Sequence, residues 1–146
     1  MSASKARLRL WLRFLKATRA IEAELREKLR AEFDTTLPRF DVMAALSRHP
    51  EGLKMSQLSG VLRVSNGNVT GIVDRLADDG LLERVAVPGD RRASRVRLTE
   101  AGRAQFSAQA DAHERWISDI MGDFEGEEAE RLAARLTALD TKRETA

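Results

Sequence analysis

The sequence predicts a mostly helical α+β domain, and three observations carry that expectation. Apolar residues recur at helical spacing towards both ends of the chain. The middle breaks into short helices punctuated by turn residues. One stretch, Arg95-Val96-Arg97-Leu98, alternates strictly, as a strand does. The 146 residues have room for one compact domain, or a small module plus helices that pair it with a second copy. With 42% hydrophobic and 33% charged residues, the chain can bury a core but not build a membrane span. The absence of cysteine excludes disulfides, thiolate zinc sites and thiol redox chemistry. His49 and His113 are the only histidines and stand in no metal-ligand spacing, so no metal or other cofactor is expected. No Ser-His-Asp order, phosphate-cradling glycine loop or close acidic pair suggests catalysis, so an enzyme is not expected.

Charge is distributed unevenly. The formal net charge is only +2, yet residues 1–104 carry 20 basic and 13 acidic side chains, whereas residues 105–146 carry 5 and 10. A polyanion partner is therefore expected in the first two-thirds.

The first helix is expected within residues 1–35. Lys5 to Arg19 holds six basic residues and no acid around Leu8, Leu10, Trp11, Leu12, Phe14 and Leu15. Such a stretch can mimic a presequence or a membrane-surface helix. It runs without a break into the acid-base-laced Ile21 to Leu29, which favours a structural helix instead. Its apolar positions follow two tracks, Trp11-Phe14-Thr18-Ile21-Leu25 and Leu8-Leu12-Leu15, wide enough to want two partners. Residues 101–146 carry the matching signal: Phe106, Ala110, His113, Ile117, Ile120 and Phe124, then Leu132, Leu136 and Leu139 after Gly126.

Between them, in residues 36–100, Pro38 opens a helix through Phe40, Val42, Met43, Ala44 and Leu46, and His49-Pro50-Glu51-Gly52 closes it. A short helix follows with Leu58, Val61 and Leu62 on one face. Arg63-Val64 turns the chain, and Ser65 can cap a helix running to about Asp79. Val69, Ile72, Val73 and Leu76 share one face of that helix, leaving Gly67, Thr70, Gly71, Asp74 and Arg75 opposite, with Asn66 and Asn68 on the flank. Two glycines four apart, each costing about 1 kcal/mol against alanine, suit close approach to another surface. In a DNA major groove, Asn66 and Asn68 can pair with adenine, while Ser65, Thr70 and Arg75 meet phosphates. A solvated, turn-rich helix accounts for the same residues.

Asp79-Gly80 ends the helix, and Leu81 to Val87, a Pro88-Gly89-Asp90 turn and the alternating stretch form a hairpin. The hairpin carries Arg84, Arg91, Arg92, Arg95 and Arg97 against Glu83 and Asp90, so a cationic tip is expected. Arginine on such a loop can enter a narrow minor groove, with Asp90 orienting a guanidinium.

Asp90-Arg91-Arg92-Ala93-Ser94-Arg95-Val96-Arg97-Leu98-Thr99 resembles the D-x-R…LT wing signature of MarR-type winged helix-turn-helix transcriptional regulators. Val64 to Leu76 and Gly80-Leu81-Leu82 resemble their recognition helix and its exit. The resemblance covers essentially the whole chain and is strongest over residues 53–102. It implies a cytoplasmic bacterial or archaeal homodimer that grips a pseudo-palindromic operator, usually to repress, with a small-molecule site between dimer helices and winged region. Carried onto this chain, it gives Arg92 the minor groove first and Arg91 next, with Asp90 as orienting partner and Arg95 further along the wing. Ser65, Asn66, Asn68 and Thr70 match the groove-facing helix start.

The terminal helices would dimerise through Leu8, Leu12, Leu15, Ile117, Ile120, Leu132, Leu136 and Leu139. An effector pocket for an aromatic or other apolar compound would use Trp11, Phe14, Phe40, Met43 and Trp116, although core packing accounts more simply for most of them. The sequence departs from many relatives in having Phe40 where they have tryptophan, and Gly71 where some carry a long side chain. Two other functions fit the same residues: a sequence-indifferent architectural DNA binder, and a winged-helix module that binds protein.

Overall fold

The computed structural model describes residues 2–62 and 66–144, except for the side chains of residues 66, 67, 91, 92 and 144. In chain order the elements are α1 (Ala3–Phe33), α2 (Leu37–Ser47), β1 (Leu53–Lys54), α3 (Met55–Leu62), α4 (Asn66–Asp78), β2 (Leu82–Val87), β3 (Asp90–Leu98), α5 (Glu100–Ile120) and α6 (Gly126–Glu144). The fold is mainly helical with one small antiparallel sheet, as the sequence predicts. The chain divides into two units, Met1–His113 and Glu114–Ala146.

Local chemistry sets the boundaries in the first unit. The Ser2 side chain accepts the Lys5 N–H at 3.3 Å to start α1. Asp34 ends the helix in the left-handed region at φ 49°, its N–H donating to the Arg30 carbonyl at 3.1 Å. Thr36 caps α2 by accepting the Arg39 N–H at 3.3 Å, and Pro38 sits in the first turn, where its missing N–H costs nothing. Of the long α1, only Leu25 and Leu29 are buried; Leu8, Leu10, Trp11, Leu12 and Phe14 are exposed.

The sheet runs in the order β1-β3-β2, with β3 in the middle. Leu53 stands opposite Val96 on one side, and Leu82 opposite Leu98 on the other. The two-residue β1 has no counterpart in the sequence pattern, because so short a run shows no alternation. The core gathers Val42, Met43 and Leu46 of α2, Leu58 of α3, Val69, Val73 and Leu76 of α4, and Leu82, Val96 and Leu98 of the sheet. Val61, expected on the buried face of α3, is instead 49% exposed. At 100° per residue it lies about 60° to one side of Leu58 while Leu62 lies about 40° to the other, and the core is on the Leu62 side.

The exit from α4 places the hairpin. Gly80 takes φ +78°, its N–H donating to the Ala77 carbonyl at 3.0 Å while the Leu81 N–H reaches back to Leu76 at 2.9 Å. These two bonds are the paired closure of a Schellman motif, with glycine at the left-handed position. The Leu81 carbonyl then accepts the Thr99 N–H at 3.0 Å, and Gly102 in the first turn of α5 packs so tightly on that carbonyl that a β-carbon would collide with it.

In the second unit, the end of α5 is followed by a turn and α6. Glu127 and Glu128 lie in the first turn of α6 and Lys142 and Arg143 in the last, the order its dipole favours. Leu132, Leu136 and Leu139 are each about half exposed.

Candidate nucleic-acid interface

The two faces of α4 differ completely. Val69, Val73 and Leu76 are fully buried, while Asn68, Thr70, Gly71, Asp74 and Arg75 are exposed. A β-carbon added at Gly71 would meet nothing within 4 Å, so this face is bare because the side chain is missing, not because a neighbour forbids one. Asn66 and Gly67 lie in the first turn of the helix. Ser65, expected as its cap, lies outside the described residues, as does the Arg63-Val64 turn.

The hairpin beside it is closed by Pro88-Gly89, with Gly89 at φ +80° and Val87 opposite Asp90. Proline followed by left-handed glycine is the residue pattern of a type II turn. Ala86 pairs with Ser94, so the register slips between Ala86 and Val87, and residues 91–93 are the extra residues on β3. Arg91 and Arg92 therefore occupy the irregular end of the hairpin. Arg95 does not: it stands in the central strand between Lys54 and Val85, half-buried, and its Nε is buried without a hydrogen-bond partner among the described residues.

The expectation that all five hairpin arginines form a cationic tip is corrected by the register. Arg84 stands opposite Val96 and Arg97 opposite Glu83, both at the base. Arg84 Nη2 donates to Asp74 Oδ1 at 2.7 Å, and Arg97 Nε donates to Glu83 Oε1 at 2.7 Å. A third pair spans 40 residues: Arg39 Nη2 donates to Asp79 Oδ2 at 2.6 Å, joining α2 to the end of α4. Nothing in the linear sequence announces that contact.

A cavity of about 670 Å³ lies between the N-terminal turns of α2 and the exposed side of α4, with Pro38, Val42, Ile72, Arg39, Asn68 and Arg75 in its wall. Asp41 and Thr36 also line it. Loss of surrounding water pushes the Asp41 carboxyl above its ordinary value; the nearby Glu22 charge adds to this, and Arg26 opposes it. None of the five residues expected in an effector pocket lines this cavity. Trp11 and Phe14 are exposed on α1, Met43 belongs to the core, and Trp116 is buried in the second unit. Phe40 is covered: its ring stacks on His113 at 4.7 Å and meets Phe106 at 5.4 Å. Burial lowers the His113 pKa. Of the expected dimerisation residues, Leu8, Leu12, Leu132, Leu136 and Leu139 are exposed, and Leu15, Ile117 and Ile120 partly so. Among the described residues, no His, Cys, Asp and Glu group could hold a metal, and no helix is long and apolar enough to cross a membrane.

Comparison with known proteins agrees with this geometry. The MarR family model matches residues 33–93. The HTH-type transcriptional regulator PecS of Dickeya dadantii (strain 3937) is 31% identical over 112 residues, 75% of this chain and 68% of that protein. The crystal structure of a MarR family transcriptional regulator from Silicibacter pomeroyi has a TM-score of 0.79 at 31% identity, over 98% of this chain and 99% of that one. A mutant MarR from E. coli, complexed with operator DNA, shares the fold with a TM-score of 0.77 at 23% identity, over 95% and 99% of the two chains. The paired helices and the flanking hairpin make this a winged helix-turn-helix protein. The chain belongs to the MarR family of transcriptional regulators, a family that does not consist of enzymes.

Proposed function

We propose that this regulator binds a pseudo-palindromic operator in duplex DNA as a homodimer, represses transcription from the cytoplasm, and is released by a small molecule. The observation that carries the reading is the division of α4 into a sealed inner face and a thinly clothed outer one, beside a hairpin ending in Arg91 and Arg92. Two copies of α4 would enter successive major grooves about 34 Å apart, with Ser65, Asn66, Asn68 and Thr70 at base edges and phosphates. The wings would reach the flanking minor grooves. The E. coli relative in its operator complex supports this use of the fold.

Pairing of two copies is supported by the exposed apolar residues of α1 and α6. The first helix is basic over its first half and the last third of the chain is acidic, so two copies attract as well as cover each other. The α2–α4 cavity suits a small aromatic or other apolar effector. Asn68 and Arg75 belong both to its wall and to the outer face of α4, so an occupant would favour a form that no longer fits DNA.

The test selects a duplex from a random pool with the wild-type protein and compares its affinity with unselected duplex across salt. A regulator gives a specificity ratio of about 10³ or more. A shared salt slope with no preference identifies an architectural binder, and absence of binding identifies a protein-interaction module.

A further inference from the structure

Asp74 places a carboxylate on the very face of α4 that the reading above turns towards DNA, and 57% of its side chain is exposed. A bare negative charge there opposes the phosphates. Arg84, at the base of the wing, reaches across to it at 2.7 Å while keeping 42% of its own side chain exposed. Two groups this wet contribute little to folding stability. Their placement is more telling than their strength: the bond ties the middle of α4 to β2, while the Arg39–Asp79 pair ties the end of the same helix to α2. The helix is thus braced on both sides by arginines that face acids of its own segment.

We propose that Arg84 is a positioning residue, which covers the Asp74 charge and fixes α4 against the base of the wing without contacting a phosphate. The inference rests on α4 being the DNA-facing helix. It gives a role to an arginine that the sequence assigns to the cationic tip, and it separates the hairpin into a bracing base and a DNA-facing end.

The test is a double-mutant cycle on the full chain, with Arg84→Gln, Asp74→Asn and both together, read against a duplex selected by the wild-type protein and against random duplex. Asn at position 74 keeps an oxygen for Arg84 to donate to, so the arginine is not released. Arg84→Gln alone should weaken binding to the selected duplex about tenfold, but by less than about twofold in the Asp74→Asn background, because no charge is left to cover. In that background the slope of log affinity against log salt should not change. Equal losses in both backgrounds would show that Arg84 acts independently of the Asp74 charge, and a slope reduced by about one in the Asp74→Asn background would show that it touches a phosphate; either result overturns the inference. Thermal melting of each variant confirms folding, and Arg84→Lys should recover part of the affinity. Failure of the wild-type protein to select any duplex would overturn the DNA reading and this inference with it; an additive cycle with normal selection overturns only the latter.

Discussion

The Thr99 hydroxyl donates to the Gly80 carbonyl at 2.7 Å and accepts the Gly102 N–H at 3.0 Å, so one side chain joins the exit of α4 to the entry of α5. Thr99→Val keeps the shape and removes both bonds. It should cost about 1–3 kcal/mol, measured by denaturant unfolding, while Thr99→Ser should recover most of it. A valine variant as stable as wild type would mean that packing and the Thr99–Leu81 backbone bond hold the junction without the hydroxyl.

Two alanine substitutions should move stability in opposite directions. Gly102→Ala drives a methyl into the Leu81 carbonyl and should destabilise by about 1–3 kcal/mol. Gly71→Ala enters open space within a helix and should stabilise by up to about 1 kcal/mol. If the bare face exists for close approach to DNA, Gly71→Leu should fold normally and bind the selected duplex at least about tenfold more weakly. Normal binding by the leucine variant would remove that purpose from the glycine.

Acid should weaken the fold through His113. The unfolded residue titrates at its ordinary value of 6.5, and burial against Phe40 lowers the folded one. Its contribution is therefore complete above 6.5 and is lost as pH falls through the lowered value, because the unfolded chain takes up the proton first. Asp41 acts with the opposite sign: its contribution is complete below 3.8 and lost as pH rises through its raised value. Melting temperatures from neutral pH to about pH 5 should fall for wild type and flatten for His113→Gln. Asp41→Asn should be the more stable protein at neutral pH. Unchanged slopes in the histidine variant would assign the acid sensitivity to other groups.

At the proposed interface, Arg92→Ala should weaken binding to the selected duplex by about 1–3 kcal/mol, and Asn68→Ala should relax base preference more than it reduces binding to random duplex. Competition binding with single-base variants of the duplex separates the two effects. Equal affinity for the Arg92→Ala protein would exclude that side chain from the complex.

Much of this architecture is legible in the sequence because it is written at short range. The period of Val69, Val73 and Leu76, the glycine after Asp79 and the alternation at Val96 and Leu98 each report a neighbour within a few residues. Pairings between distant segments are not legible. Neither the Arg39–Asp79 bond nor the choice of Arg84 for Asp74 follows from spacing, and a count of hairpin arginines cannot tell a braced one from a presented one. The aromatic residues were ambiguous for a related reason. Phe40 and Met43 have the chemistry of a ligand pocket, but side-chain chemistry does not distinguish a pocket wall from a sealed core, and the cavity between α2 and α4 is lined by other residues of those helices.

The three unmatched residues in β3 have a consequence for how the hairpin can change over generations. Ser94 to Leu98 are clamped by neighbours on β2, and Arg95 and Val96 by β1 as well, so their inside-outside order is locked. Residues added or removed between Asp90 and Ser94 would be absorbed where pairing has already lapsed, without flipping Val96 or Leu98 out of the interior. Descendants of this protein can lengthen, shorten or rewrite their outermost finger while inheriting the palm unchanged.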